Sequence, residues 1–343
     1  MTKRYLGNII TDTPTAPAGS YENDAAPGVW SLAEAFAYTK AGLWPIAGNA
    51  NPLAGDIALV AGGQIPSNPY LTSAIQYFSI TTLGNATDYG NVSANTNNLA
   101  SFASTTRACF ASGSGLADVI DYIEIQTGGT ASDFGDPNVS ATARAGCSNS
   151  TRGLIGGGYA SGSDTNAIDY VTIASTGNAA DFGNLTAGRY NLEAVQSPTR
   201  ACFAGGSDSS VQNNIDYVTI ASTGNATDFG DLTILRMSFG SGSNSTRGVF
   251  GGGYTGSAND TIDYITIAST GNATDFGDLL AANYELCGSS NATRAVFSGG
   301  NAGGTINQIQ YVTIASAGNA ADFGDLTIAL VHGGGTSNCH GGI

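Results

Sequence analysis

Two histidines and five cysteines are the residues of this chain best suited to chemistry, and three of them, His332, Cys339 and His340, lie close together in sequence. A cysteine beside a histidine is the raw material of a nucleophile–base pair or of a metal site. Cys339 and His340 are direct neighbours, though, and neighbours along a strand point to opposite faces of a sheet. They are poorly placed to meet, and no catalytic residue is expected. The cysteines, Cys109, Cys147, Cys202, Cys287 and Cys339, are odd in number and follow no zinc spacing. Cys109 and Cys202 stand where Val249 and Val296 stand in related segments, so they read as small core residues. Oxygen donors cluster in Asn225-Ala-Thr-Asp228-Phe-Gly-Asp231, a segment that returns several times. Such a cluster could bind calcium, but the alternating acids of a calcium loop are missing. Turn and capping duty is the expectation, with no metal site and calcium as the one cofactor left open. The Asp-Phe-Gly triplet lacks the Gly-rich loop and paired lysine of a kinase.

The charge balance narrows the partners. Asp and Glu number 26 against 11 Lys and Arg, a net charge of −15. A binder of nucleic-acid backbones needs the opposite sign, so no nucleic-acid partner is expected. No run of 18 apolar residues exists, so no membrane insertion is expected either. The opening residues lack the apolar core of a signal peptide. Charged residues make up only 11% of the chain, and Gly, Ser, Thr, Asn and Asp stand where a helical bundle would use Glu, Lys, Leu and Ala.

The elements that would position any site come from a repeat. Asp-Phe/Tyr-Gly begins at residues 88, 133, 181, 228, 275 and 322, at intervals of 45, 48, 47, 47 and 47. Tyr77, Tyr122, Tyr170, Tyr217, Tyr264 and Tyr311 keep the same beat, as do Arg107, Arg152, Arg200, Arg247 and Arg294. A unit beginning at Thr246 reads as four short strands: Arg247–Gly251, Ile262–Ala268, a short one around Asp275–Leu280, and a fourth over about Ala282–Ser289. Gly, Asn, Ser and Asp clusters separate them. Short, evenly spaced strands in a unit of about 47 residues predict propeller blades. The span 57–343 holds six, so the fold class is all-β, a six-bladed β-propeller with domain boundaries at 1–56 and 57–343. Ile57–Gly63 matches the start of a unit and Val331–Cys339 the end of one. Their pairing would close the ring and leave no bare edge. The repeated arginines are expected to pair with Asp121, Asp169, Asp216 and Asp263. The Asp-Phe-Gly aromatic is expected between neighbouring sheets.

The unit resembles the kelch repeat: an apolar strand ending in a glycine pair (Gly62-Gly63, Gly157-Gly158, Gly205-Gly206, Gly252-Gly253, Gly299-Gly300), then Asp-Tyr-x-x-Ile, then an aromatic about 12 residues on. Kelch units carry Trp at that last position; here it is Tyr89, Phe134, Phe182, Phe229, Phe276 or Phe323. The resemblance implies the fold and says little about activity.

Residues 1–56 do not repeat. A polar, Pro-containing stretch precedes a capping box, Ser31-Leu-Ala-Glu34, which predicts a helix over about 31–41 stopped by Gly42 and Pro45. Trp30, Leu32, Phe36, Leu43 and Trp44 give it an apolar payload suited to anchoring, on the propeller itself or on another chain. Lys3-Arg4-Tyr5-Leu6-Gly7, Gly28-Val29-Trp30-Ser31-Leu32 and Gly42-Leu43-Trp44-Pro45, followed by Thr-Gly-Asn-Ala-Thr-Asp-Phe-Gly repeats, resemble tailed-phage virion structural proteins of marine and cyanobacterial phages. That resemblance implies a non-enzymatic virion component, assembled in the host cytoplasm, with other virion proteins as partners of the arm.

Variation inside the repeat marks where a ligand could bind. The loops after the glycine pairs differ from unit to unit, with Tyr70, Tyr159, Asp164, Asp208, Tyr254, Asp260 and Asn301 the candidate contact residues. Loops of this composition suit a host-surface glycan or protein. The Ala-Ser-Thr-Gly-Asn-Ala loops are near-identical and suit packing. The expected function is a tail- or fibre-associated or capsid-decorating propeller; the alternative is a carbohydrate-binding or carbohydrate-processing one.

Overall fold

Arg200–Ala204 (Arg-Ala-Cys-Phe-Ala) has no polar residue after its arginine, so a strand built from it must be covered on both faces. It is the second strand of a four-stranded antiparallel sheet. Glu193–Gln196 pairs on one side of it and Asn214–Thr219 on the other, with Arg200 opposite Thr219, Cys202 opposite Tyr217 and Ala204 opposite Ile215. Thr227–Asp231 forms the outer edge, joined across a register shift at Ile215/Asp216. The computed structural model describes residues 56–343, and there this sheet recurs around a ring as a six-bladed β-propeller, five sheets of four strands and one of five. The predicted helix over 31–41 and the anchoring residues Trp30, Leu32, Phe36, Leu43 and Trp44 lie outside the described residues.

Numbered from the one that contains Ile57–Ala61, the blade just described is blade 4. Its innermost strand does not belong to the unit the repeat suggests. Cys287–Ser290, expected as the fourth strand of the unit from Thr246, is instead the inner strand of blade 6, paired with Arg294–Ser298. The outer strand of blade 5 takes up most of the expected gap by running Thr274–Asn283. Every blade is therefore assembled from two units. Blade 1 takes its inner strand, Gly334–Ser337, from the far end of the chain, with Ala58 opposite Ser337 and Ala61 opposite Gly334. Ile57 donates its N–H to Asn338 Oδ1 at 2.8 Å and accepts the Asn338 N–H at 3.1 Å, which seals the ring as expected.

The six inner strands converge on the axis, where space is scarce, and small residues follow from that. A Cβ on Gly288 would lie 1.9 Å from the Ser241 carbonyl oxygen of the neighbouring blade. Farther out, wedge-shaped cores fill the gaps between blades. Phe229 of blade 4 packs with Ile265 and Ile267 of blade 5, and Phe134, Phe182, Phe276 and Phe323 repeat the arrangement. Burying one such ring contributes about 2–3 kcal/mol.

Candidate functional site

The near-identical loops turn out to be fasteners. Asn225 Oδ1 accepts the Asn184 N–H at 3.1 Å, Gly224 N–H donates to Phe182 O at 2.7 Å, and Ala226 N–H donates to Asn184 O at 2.8 Å. Each of these residues belongs to the loop of one blade and grips the Asp-Phe-Gly edge of the blade before it. Asn178, Asn272, Asn319 and Asn85 repeat the contact. Blade 1 and blade 2 meet differently: Gly129–Thr130 adds in parallel to the edge at Gly90 and Asn91, and Tyr89 Oη donates to Ile125 O. The oxygen cluster considered for calcium is thus held in backbone contacts. Among the described residues no group of three or more His, Cys, Asp or Glu side chains is placed to hold a metal ion.

The repeated arginines are also fasteners, and here the expected pairing is corrected. Arg107, Arg152, Arg200, Arg247 and Arg294 stack over the Tyr of their own blade, 4.2–4.7 Å from the ring centre. Each also donates to a carbonyl of the next blade, Arg200 to Ile267 O at 2.9 Å for example. The buried aspartates pair instead with arginines outside that series: Asp169 with Arg144 at 2.6 Å, Asp216 with Arg189 at 2.9 Å, and Asp263 with Arg236. Asp169, Asp216 and Asp263 also accept the N–H of Val139, Thr186 and Thr233. Asp121 accepts that of Ser93 at 2.8 Å. Gln76 and Gln310 do the same for Thr327 and Leu280 at 2.6 and 2.8 Å. The backbone contact is the shared duty; a buried arginine joins it at Asp169, Asp216 and Asp263 and not at Asp121, Gln76 or Gln310.

The face opposite the fasteners carries the variable loops and the axial mouth. Tyr70 is 60% exposed and Tyr159 is 45% exposed. Tyr159 packs edge-on against Tyr190 with ring centres 5.7 Å apart, and Tyr254 packs on Tyr284 at 5.3 Å. Asp164 and Asp208, from adjacent blades, come within electrostatic reach. Partial burial and then the Asp208 charge raise the Asp164 carboxyl above its usual value. The N–H groups of Ser209 and Ser210 hold Asp208 below its own. Asn301 bridges to Tyr284 and Thr305 in the backbone, and Asp260 is half-buried at the start of a strand. None of these residues lines the axial cavities.

Apart from His332 and His340, those cavities are built by residues that sequence reasoning passed over. Asn98, Ala143, Asn191, Ser238, Glu285 and His332 each open the lead-in to one inner strand, and each has φ between 52° and 62°. The left-handed backbone lets successive residues link around the axis: Asn98 N–H donates to His332 O, His332 to Glu285, Glu285 to Ser238, Ser238 to Asn191 and Asn191 to Ala143. This ring frames a mouth of about 40 Å³ in which His332 Nε2 lies 2.9 Å from Glu285 Oε1. Below it an axial chamber of about 50 Å³ shares Leu99, Arg144, Glu193 and Gly333 with the mouth. Burial pushes the Glu193 carboxyl up to about 8, against the opposing hydrogen bond from Ser241 at 3.0 Å. His340 closes the lower end. It lies not in a strand but in the turn after one, with Nε2 3.0 Å from Ala103 O. The signal available in the sequence was rarity: Glu and His are scarce, and these residues break the repeat.

Burial lifts all five thiols above the usual cysteine range; Cys109, Cys147, Cys202 and Cys287 are buried core residues, and Cys339 is half-buried against the core. No helix among the described residues is long and apolar enough to cross a membrane. Set against known families and proteins, the chain matches no family model and no curated protein.

Proposed function

We propose that this protein is a non-enzymatic virion structural protein, a kelch-like propeller of a tailed-phage particle. In this reading residues 1–56 anchor it to other virion proteins, and the variable-loop face meets a glycan or protein on the host surface. The observation that carries the reading is the difference between the two faces. Interblade fastening explains the near-identity of one face, whereas the fold makes no such demand on the other, which differs at every blade. Loops freed from structural duty are where recognition is placed on rigid scaffolds. The arm and repeat motifs, resembling those of marine and cyanobacterial phage proteins, supply the particle.

Immunogold labelling of purified particles from the source tests this. Label on tail or capsid supports the proposal, and its position separates adhesion from decoration. Clean particles without label overturn it. A second reading, a carbohydrate-binding propeller acting off the particle, is favoured by the Tyr159–Tyr190 and Tyr254–Tyr284 pairs, since partly exposed aromatic pairs at a surface suit sugar rings. Removing residues 1–50 separates the two. Lost incorporation with a folded propeller supports the virion reading, and glycan binding without any particle supports the second.

A further inference from the structure

Glu193 is out of place. It is the first residue of its inner strand, where the other blades have Ala100, Ala145, Gly240, Cys287 and Gly334. Its carboxyl lines the axial chamber, and it makes no ion pair with any described residue. Arg144 lines the same chamber, but its guanidinium is committed to Asp169 and to the carbonyls of Val139, Ile155, Gly157 and Ala167. A second observation is independent of the carboxylate. Ser101 Oγ and Ser289 Oγ, on residues only 8% and 5% exposed, also line the chamber and have no hydrogen-bond partner. Ser241 completes the wall, its hydroxyl already on Glu193 Oε2.

A carboxyl with no counter-ion and orphaned hydroxyls lining one chamber ask for a shared partner. Size limits what that is. A chamber of about 50 Å³ has room for an ion with two or three waters, far too little for a sugar or amino acid. Cys147, Cys287 and His340 also line the chamber, but burial holds both thiols protonated and His340 is committed to Ala103 O; the oxygens that remain select hard cations over zinc or copper. One carboxylate balances one positive charge, short of the several carboxylates of a calcium site. We propose that the axial chamber is a binding site for a single alkali cation, Na⁺ or K⁺, held by Glu193 with the hydroxyls of Ser101, Ser241 and Ser289. The upward push that burial exerts on the Glu193 carboxyl agrees with this, since a buried charge without a counter-ion is disfavoured. The net charge of −15 draws cations towards the mouth.

The test uses the full chain, dialysed into choline chloride at pH 9, where the carboxyl is ionised. Thermal unfolding is followed as NaCl, KCl or CaCl₂ replaces choline at constant ionic strength. Expected is a saturable rise of about 2–4 °C with Na⁺ or K⁺ in the wild type. The rise should vanish in Glu193→Gln and persist in Glu124→Gln, which changes an exposed carboxylate. No saturable rise in the wild type overturns the proposal. A rise that survives Glu193→Gln overturns it too, and a response confined to Ca²⁺ overturns the alkali assignment. Should Glu193→Gln fail to fold, crystals of the wild type grown in RbCl decide the matter. An anomalous peak within bonding distance of Glu193 supports the site, and its absence there refutes it.

Discussion

Acid should loosen the propeller from its axis, through His340. The imidazole plugs the lower end of the channel, with Nε2 3.0 Å from Ala103 O and 3.1 Å from Ser148 Oγ. Nδ1 accepts the Gly342 N–H at 3.1 Å, so the ring is the neutral tautomer with its proton on Nε2. Protonation would put a second N–H on Nδ1, facing the N–H it now accepts. Burial accordingly pushes His340 down from 6.5 to about 4, against the opposing hydrogen bond to Ala103. Because the folded value is the lower one, this stabilisation is complete above about pH 6.5 and is lost as the pH falls through about 4. The whole difference is worth about 3 kcal/mol, and about 2–3 kcal/mol of it is lost by pH 4.5. Urea unfolding of the wild type and of His340→Gln, each at pH 7.5 and pH 4.5, isolates the term, because the carboxylates titrate in both proteins. The wild type should lose about 2–3 kcal/mol more than the variant between the two conditions. Equal losses would refute the reasoning, and would mean that the ring takes up a proton without leaving its seat.

Three further outcomes follow from the packing. Arg236→Met leaves Asp263 buried without its cation and should cost about 3–5 kcal/mol in urea unfolding; the double change Arg236→Asn with Asp263→Gln copies the Asn283 and Gln310 of blade 6 and should recover most of it. Gly230→Ala puts a methyl 2.6 Å from the Gly271 backbone at φ +142° and should cost about 2–4 kcal/mol, while Gly304→Ala, with open space around it, should change stability by less than about 0.5 kcal/mol. Deleting 331–343 strips the inner strand from blade 1 and bares the edge of Ile57–Ala61, so the protein should elute from size exclusion as oligomers or aggregate.

The ring was legible in the sequence because its demands repeat. Asp-Phe-Gly, the tyrosines and the arginines recur because each blade must grip the next at the same points, and closure followed from the unmatched strands at 57–63 and 331–339. Two things were hidden. The blade to which Cys287–Ser290 belongs depends on how the ring is cut, and a period alone does not fix that phase. The true partners of the buried aspartates were hidden because Arg189 and Arg236 occupy a position filled by Thr96, Asn283 and Leu330 in other units, while Arg144 reaches its aspartate from a lead-in out of register with theirs. The axial residues were the least visible of all. Glu193, Glu285 and His332 come from three different units and meet only because inner strands converge.

That convergence gives a rule for reading such a chain. In a ring of near-identical wedges, the consensus is already accounted for by contacts between wedges: the Asn225 type of staple, the Arg200 type of stack, the Asp216 or Gln310 type of backbone acceptor. Near-identity of the fastener face is therefore no argument for a symmetric partner there. Some departures are accounted for in the same way, among them Arg144, Arg189 and Arg236 and the parallel join of blades 1 and 2; the rest have no such explanation. They fall in two places, the loops bearing Tyr70, Tyr159, Asp164, Asp208, Tyr254 and Asn301, and the axis bearing Glu193, Glu285 and His332. The two differ in scale. The loops span a broad face fit for a macromolecule or a glycan chain, whereas the axis admits an ion and a few waters. The proposed surface recognition and the proposed alkali-cation site are thus separable, and changes at Glu193 should leave the loop face intact.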